Sequence, residues 1–262
     1  MYCISGLGAD ERVFEHLELP GCTMYPLPWL HPDKSESIAH YASRMIAGIR
    51  HEHVILLGLS FGGIMAVEIA HQLRLRRLWL VSTVRQRSEL PPYMRMGAVL
   101  PLHKLILPLK PYRWLGPLEN YNLDVETPEE RAMVAAFRKS VDPVYLDWAI
   151  DAIIHWGNTR VPANSLHIHG AKDRIFSIRY VHPDHIIPDA GHLLVHNRSA
   201  IVNAIFVHSI LKTSHGITHF YSRNDRRAHW IIRYVSQSWR STLESIDTLL
   251  QHLGDGRPHE NE

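Results

Sequence analysis

Cysteine is scarce in this chain, with two residues, Cys3 and Cys22, among 262. Two thiols cannot build a disulfide framework; one bridge is the most they allow, and free buried thiols in a reducing compartment fit better. An excess of one charge is missing too. Lys and Arg number 28 against 26 Asp and Glu, a formal charge of +2, so nothing electrostatic favours a nucleic acid or an anionic membrane as partner. A long apolar run is also absent. Val54 to Ala70 is the most apolar stretch, and Ser60, three glycines and Glu68 interrupt it, which makes a poor transmembrane helix. The opening residues Met-Tyr-Cys-Ile-Ser-Gly-Leu-Gly lack the basic and apolar regions of a secretory signal, so a cytoplasmic protein is expected. No internal repeat or low-complexity tract is present. Hydrophobic residues at 45% and charged residues at 21% are ordinary globular values and exclude collagen-like, coiled-coil and wholly disordered chains.

What is present is an alternation of short apolar runs with helical patterns, the mark of βα units on a parallel sheet. Strands are expected at Tyr2 to Ser5, Cys22 to Leu27, Val54 to Leu59 and Leu78 to Val81, with helices over Ser35 to Arg50 and Phe61 to Leu73. Ser35 reads as the N-cap of the first helix. From about Arg85 to Arg160 the alternation stops. Six prolines between 91 and 117 precede helices at Pro128 to Lys139 and Pro143 to Trp156, a cap-like insertion over the sheet. Strands return at Ser165 to His169 and Asp184 to Ile187, followed by a helix from Val195 to Leu211. Beyond Lys212 a polar linker leads to an amphipathic helix, Trp230 to Leu253. That tail reads either as a helix packed on the outside of the body or as an arm for homodimerisation or a membrane surface.

One motif carries chemistry. Gly58-Leu59-Ser60-Phe61-Gly62 has the form Gly-x-Ser-x-Gly, which chance alone supplies in roughly one chain in ten of this length. Its setting sharpens it: an apolar strand precedes it and a helical pattern follows, as a strained strand-turn-helix requires. Serine is a weak nucleophile until a base takes its proton, and the base needs a carboxylate to fix its tautomer. After the insertion come His169-Gly170-Ala171-Lys172-Asp173 and Asp189-Ala190-Gly191-His192, each a loop at the end of an expected strand. The order Ser60, Asp173, His192 fits an acid and a base on one sheet edge. The other histidines read as packing or surface residues. His196 is spaced from His192 as helical metal ligands are, but no carboxylate or cysteine set is expected to complete such a site. The oxyanion donors are assigned to the backbone N–H groups of Phe61 and of Leu7, in the turn Ser5-Gly6-Leu7-Gly8.

These motifs resemble the alpha/beta-hydrolase superfamily over residues 1–212, with 85–160 matching its variable cap and 213–262 a helical extension without a counterpart. More narrowly, Ile4 to Asp10 is similar to the start of compact bacterial members. The resemblance implies an α/β fold, a mostly parallel sheet of about six strands flanked by helices. It implies a serine hydrolase with Ser60 as nucleophile, His192 as base and Asp173 as acid. The expected substrate is a small-molecule carboxylic ester or thioester, with an apolar lining from the cap residues Met94 to Leu115 and no metal or organic cofactor. Acyl transfer, C–C bond hydrolysis and hydroxynitrile-lyase chemistry use the same triad and stay open, as does a non-catalytic binding protein on this fold.

Overall fold

The computed structural model describes residues 1–19, 21–98 and 116–217. The short apolar runs become strands: β1 (Tyr2–Ile4), β2 (Tyr25–Pro26), β3 (Ile55–Leu59), β4 (Arg77–Val81), β5 (Ser165–Gly170) and β6 (His185–Ile187). They form one six-stranded sheet in the order β2-β1-β3-β4-β5-β6, and every pairing is parallel. Such a sheet is covered on both faces, so its central strands carry unbroken apolar runs. Leu56, Leu57, Trp79 and Leu80 are fully buried.

Residues Cys22 to Leu27 yield only the two-residue β2, at the sheet edge. Proline has no N–H to give a ladder and is confined to edges. Here the neighbours donate instead, Tyr25 N–H to Met1 O at 2.8 Å and Leu27 N–H to Cys3 O at 2.9 Å. Helix α1 (Ile38–Ile46) buries Tyr41, Ala42 and Met45, and its N-cap is Ser37, whose side chain accepts from His40 N–H. Ser35 does not cap it; it sits in the preceding turn with φ +58°. Helix α2 (Phe61–Gln72) is buried along nearly its whole length.

Between β4 and β5 lie α3 (Pro92–Gly97), α4 (Gly116–Leu123), α5 (Pro128–Ser140) and α6 (Pro143–His155). Thr127 and Glu130 close a capping box on α5, and Asp142 caps α6, each with proline in the first turn, where its missing N–H costs nothing. Most of the expected apolar lining, Leu100 to Leu115, falls outside the described residues. Of the rest, Met94 packs partly buried against the core, whereas Met96 is 60% exposed.

After β6 the expected single helix is two, α7 (Leu194–Asn197) and α8 (Ser199–Ile217). The break is at Arg198, whose backbone leaves the helical region (φ −127°, ψ 28°) and whose guanidinium pairs with Glu126 and Asp189. Helix α8 also overruns the linker expected from Thr213, since polar Thr, Ser and His do not by themselves stop a helix. The tail helix expected at Trp230 to Leu253 lies outside the described residues. Among the described residues two compact units result: Met1–His16 with Met24–Arg198, holding the whole sheet, and Leu17–Thr23 with Ser199–Ile217. Among the described residues no helix is long and apolar enough to cross a membrane. Both cysteines are free, and burial pushes the Cys3 thiol up to about 12.

Candidate active site

Parallel strands point their C-terminal ends at one edge, and there the three side chains meet. Ser60 joins β3 to α2 with φ +54° and ψ −121°, a conformation an L-residue adopts only when its surroundings impose it. Two glycines make that possible. A Cβ on Gly58 would run into the Gly62 carbonyl and lie 2.6 Å from Gly63 Cα, and one on Gly62 would strike the carbonyl oxygens of Ile4 and Ser5. The turn is held from β4, with Ser60 N–H donating to Val81 O at 3.0 Å and Thr83 Oγ1 donating to Ser60 O at 2.6 Å.

Ser60 Oγ lies 2.8 Å from His192 Nε2, and His192 Nδ1 lies 2.7 Å from Asp173 Oδ2. His192 and Asp173 are both buried, at 4% exposure. Asp173 Oδ1 accepts the N–H groups of Ile175 at 2.8 Å and Phe176 at 2.9 Å. Burial alone would raise its carboxyl, but the charge and hydrogen bond of His192, with help from His169 and Phe176 N–H, outweigh that and hold it below the ordinary carboxylate range. A carboxylate so placed stays ionised and orients the imidazole with Nδ1–H toward itself and Nε2 toward Ser60.

The turn after β1 sits beside this group; a Cβ on Gly6 would lie 3.4 Å from Ser60 Cβ. Ala9 N–H donates to Gly6 O at 3.1 Å and Ser5 Oγ donates to Ala9 O at 2.6 Å, so the turn is closed twice. Among the described residues no protein acceptor closes on the N–H of Leu7 or of Phe61, the first residue of α2. For Phe61 this is the ordinary state of the first N–H of a helix; for Leu7 it follows from the turn. Next to the turn is a cavity of about 300 Å³ whose lining includes Ser5, Gly8, Ala9, Trp29, Leu30, Val141 and Tyr145.

Trp29 is the residue sequence reasoning missed. Its indole stacks on Phe61 at 5.0 Å and 8°, and its Nε1–H donates to Ser5 Oγ at 3.2 Å. The only signal was an aromatic side chain just after Pro26 and Pro28, on a stretch that pairs with β1.

Other carboxylates and histidines on the connections around this edge are engaged elsewhere. Asp184 accepts His167 N–H at 2.8 Å, Asp189 pairs with Arg198, and Glu89 accepts Arg85 N–H at 2.6 Å. His167 and His169 are fully buried in β5, and burial lowers both below the usual imidazole value. His169 Nε2–H donates to Phe176 O at 2.7 Å and lies 3.4 Å from Asp173 Oδ2. His185 belongs to β6, where its backbone completes the pairing with Ile168. His196 does have carboxylates near it, Glu15 and Glu130, which lie far away in sequence.

Sequence comparison with curated proteins finds no match. Among solved structures, a thermophilic esterase from Thermogutta terrifontis is similar with a TM-score of 0.59 at 16% identity, over 80% of this chain and 89% of that one. A bromoperoxidase from Bacillus anthracis gives 0.58 at 14%, over 80% and 91%. An epoxide hydrolase from Bacillus megaterium gives 0.52 at 13%, over 80% and 92%. At such identities the likeness is one of fold, and the three names differ in chemistry. The model of the alpha/beta hydrolase family matches residues 2–205, and with that match over most of its length the chain belongs to the alpha/beta hydrolase family.

Proposed function

We propose that the protein is a serine hydrolase acting on small carboxylic esters or thioesters through an acyl-enzyme. The observation that carries this reading is the unbroken chain of contacts from Ser60 Oγ through His192 to Asp173, at 2.8 Å and 2.7 Å. In the first step Ser60 donates its proton to His192 Nε2 as Oγ attacks the carbonyl carbon. Asp173 accepts the hydrogen bond of Nδ1–H and stabilises the imidazolium. The N–H groups of Leu7 and Phe61 receive the oxyanion, a contribution worth about 3 kcal/mol per donor where it has been measured in comparable sites. His192 then gives its proton to the leaving alcohol or thiol. In the second half-reaction it takes one from water, whose oxygen attacks the acyl carbon, and returns that proton to Ser60 Oγ as the acid leaves.

The cavity beside the oxyanion turn is the proposed seat of one substrate arm, walled by Trp29 and Tyr145. The near balance of charge favours an uncharged small molecule over a nucleic acid. Two free thiols suit a reducing compartment, and the cytoplasm is the proposed location. A series of p-nitrophenyl esters of rising acyl length tests the assignment. Saturable hydrolysis is expected in the wild type, with Ser60→Ala reduced to the rate of buffer. Equal turnover by the two proteins would refute it.

A further inference from the structure

We infer that Glu15, His16 and His196 form a binding site for a divalent transition-metal ion of the zinc class. The ligand atoms of the three residues lie within 4.8 Å of one another. Glu15 Oε1 is 3.1 Å from His196 Nε2 and 3.8 Å from His16 Nε2. Zinc–nitrogen bonds of about 2.0–2.1 Å set ligands in a tetrahedral site roughly 3.3 Å apart, between those two separations.

Proton accounting points the same way. The imidazole of His196 is 7% exposed and has a carboxylate at each nitrogen, Glu15 at Nε2 and Glu130 at Nδ1, the latter at 3.4 Å. A neutral imidazole has one N–H, so one of the two carboxylates always faces a lone pair. His16 Nδ1 lies 3.4 Å from the carbonyl oxygen of His196. A carbonyl only accepts, so Nδ1 holds the hydrogen and Nε2 carries the lone pair on the side of Glu15. The Nε2–H of His196 donates to Glu15 at 3.1 Å, while Nδ1 has no hydrogen-bond partner among the described residues. Moving that hydrogen to Nδ1, on the side of Glu130, turns both Nε2 lone pairs and the Glu15 carboxylate on one point that a cation fits.

Glu130 stands where metal-bound histidines usually have an outer partner, its Oε1 3.4 Å from His196 Nδ1 with no hydrogen bond closed between them. It is 3% exposed, and its other oxygen is fixed by the N–H groups of Glu126 and Thr127. No Lys or Arg among the described residues is within ion-pair distance of Glu15 or Glu130. A second cluster, Asp33, Glu36 and His40, differs on this point: Arg44 lies 2.6 Å from Glu36 and already supplies the positive charge. Three protein ligands leave a fourth position for water. The ion would tie the 3-10 turn Glu11–Phe14, which follows the oxyanion turn, to α7, which follows His192.

The test uses the untagged full chain, stripped with a chelator and titrated with Co²⁺, whose visible absorption bands report nitrogen and oxygen ligation. One tight equivalent per chain is expected, displaced by Zn²⁺. The exposed residues are the informative ones to change, since their loss leaves the core intact. Glu15→Gln and His16→Ala should each weaken the tight site about tenfold or more, while His40→Ala should leave it unchanged. Absence of a tight equivalent, or one that survives both Glu15→Gln and His16→Ala, would overturn the site.

Discussion

The imidazole of His192 reaches Ser60 Oγ at 2.8 Å across 132 residues of sequence. The contact exists because β3 and β6 are parallel members of one sheet and both connections open at the same edge. Replacing His192 by Ala removes the proposed base and leaves the turn at Ser60 in place. The expected result is a fall in kcat of at least about 10⁴-fold, with the circular dichroism spectrum retained.

Asp173→Asn tests the proposed role of this carboxylate in two ways. Ester hydrolysis should fall by roughly 10³- to 10⁴-fold, because Asn can hold the wrong tautomer of His192. The second readout is stability against pH. The Asp173 carboxyl is held below its ordinary value in the folded chain, so the unfolded state binds the proton more readily. Its contribution is present above the unfolded value of about 3.9 and is lost as pH falls through the lower folded value. Urea melts below about pH 4 should therefore show a shallower loss of stability in Asp173→Asn than in the wild type.

Gly62→Ala places a methyl group against the carbonyl oxygens of Ile4 and Ser5, which are backbone and cannot rotate away. A destabilisation on the order of 3 kcal/mol is expected, seen as a lower Tm. An unchanged Tm would mean that β1 and α2 are not in this close approach.

Ser5→Ala removes the hydroxyl that donates to Ala9 O and accepts from Trp29 Nε1. The turn bearing Leu7 loses one of its two closures. About 1 kcal/mol of stability should go with it, and kcat for esters should drop about tenfold with KM little changed, as when a group acts only in the transition state.

How much of this was legible in the chain depends on separation. The elbow at Ser60 is readable because all its requirements are local: an apolar strand, small residues at 58 and 62, a helix after. Asp173 and His192 can be named because each follows a strand with a small-residue loop. Other features are decided by contacts that no window contains. Ser37 rather than Ser35 caps α1 because the chain turns at Ser35 with positive φ. The split between α7 and α8 depends on Arg198 finding Glu126 across 72 residues. Trp29 on Ser5 and Glu15 on His196, the latter 181 residues apart, depend on tertiary packing that periodicity does not encode.

A fluorophosphonate probe followed by peptide mass spectrometry addresses the nucleophile itself. The account predicts one adduct per chain, on the peptide containing Ser60, and none on Ser60→Ala. Modification of a different residue, or an intact wild-type mass after prolonged exposure to the reagent, would contradict it.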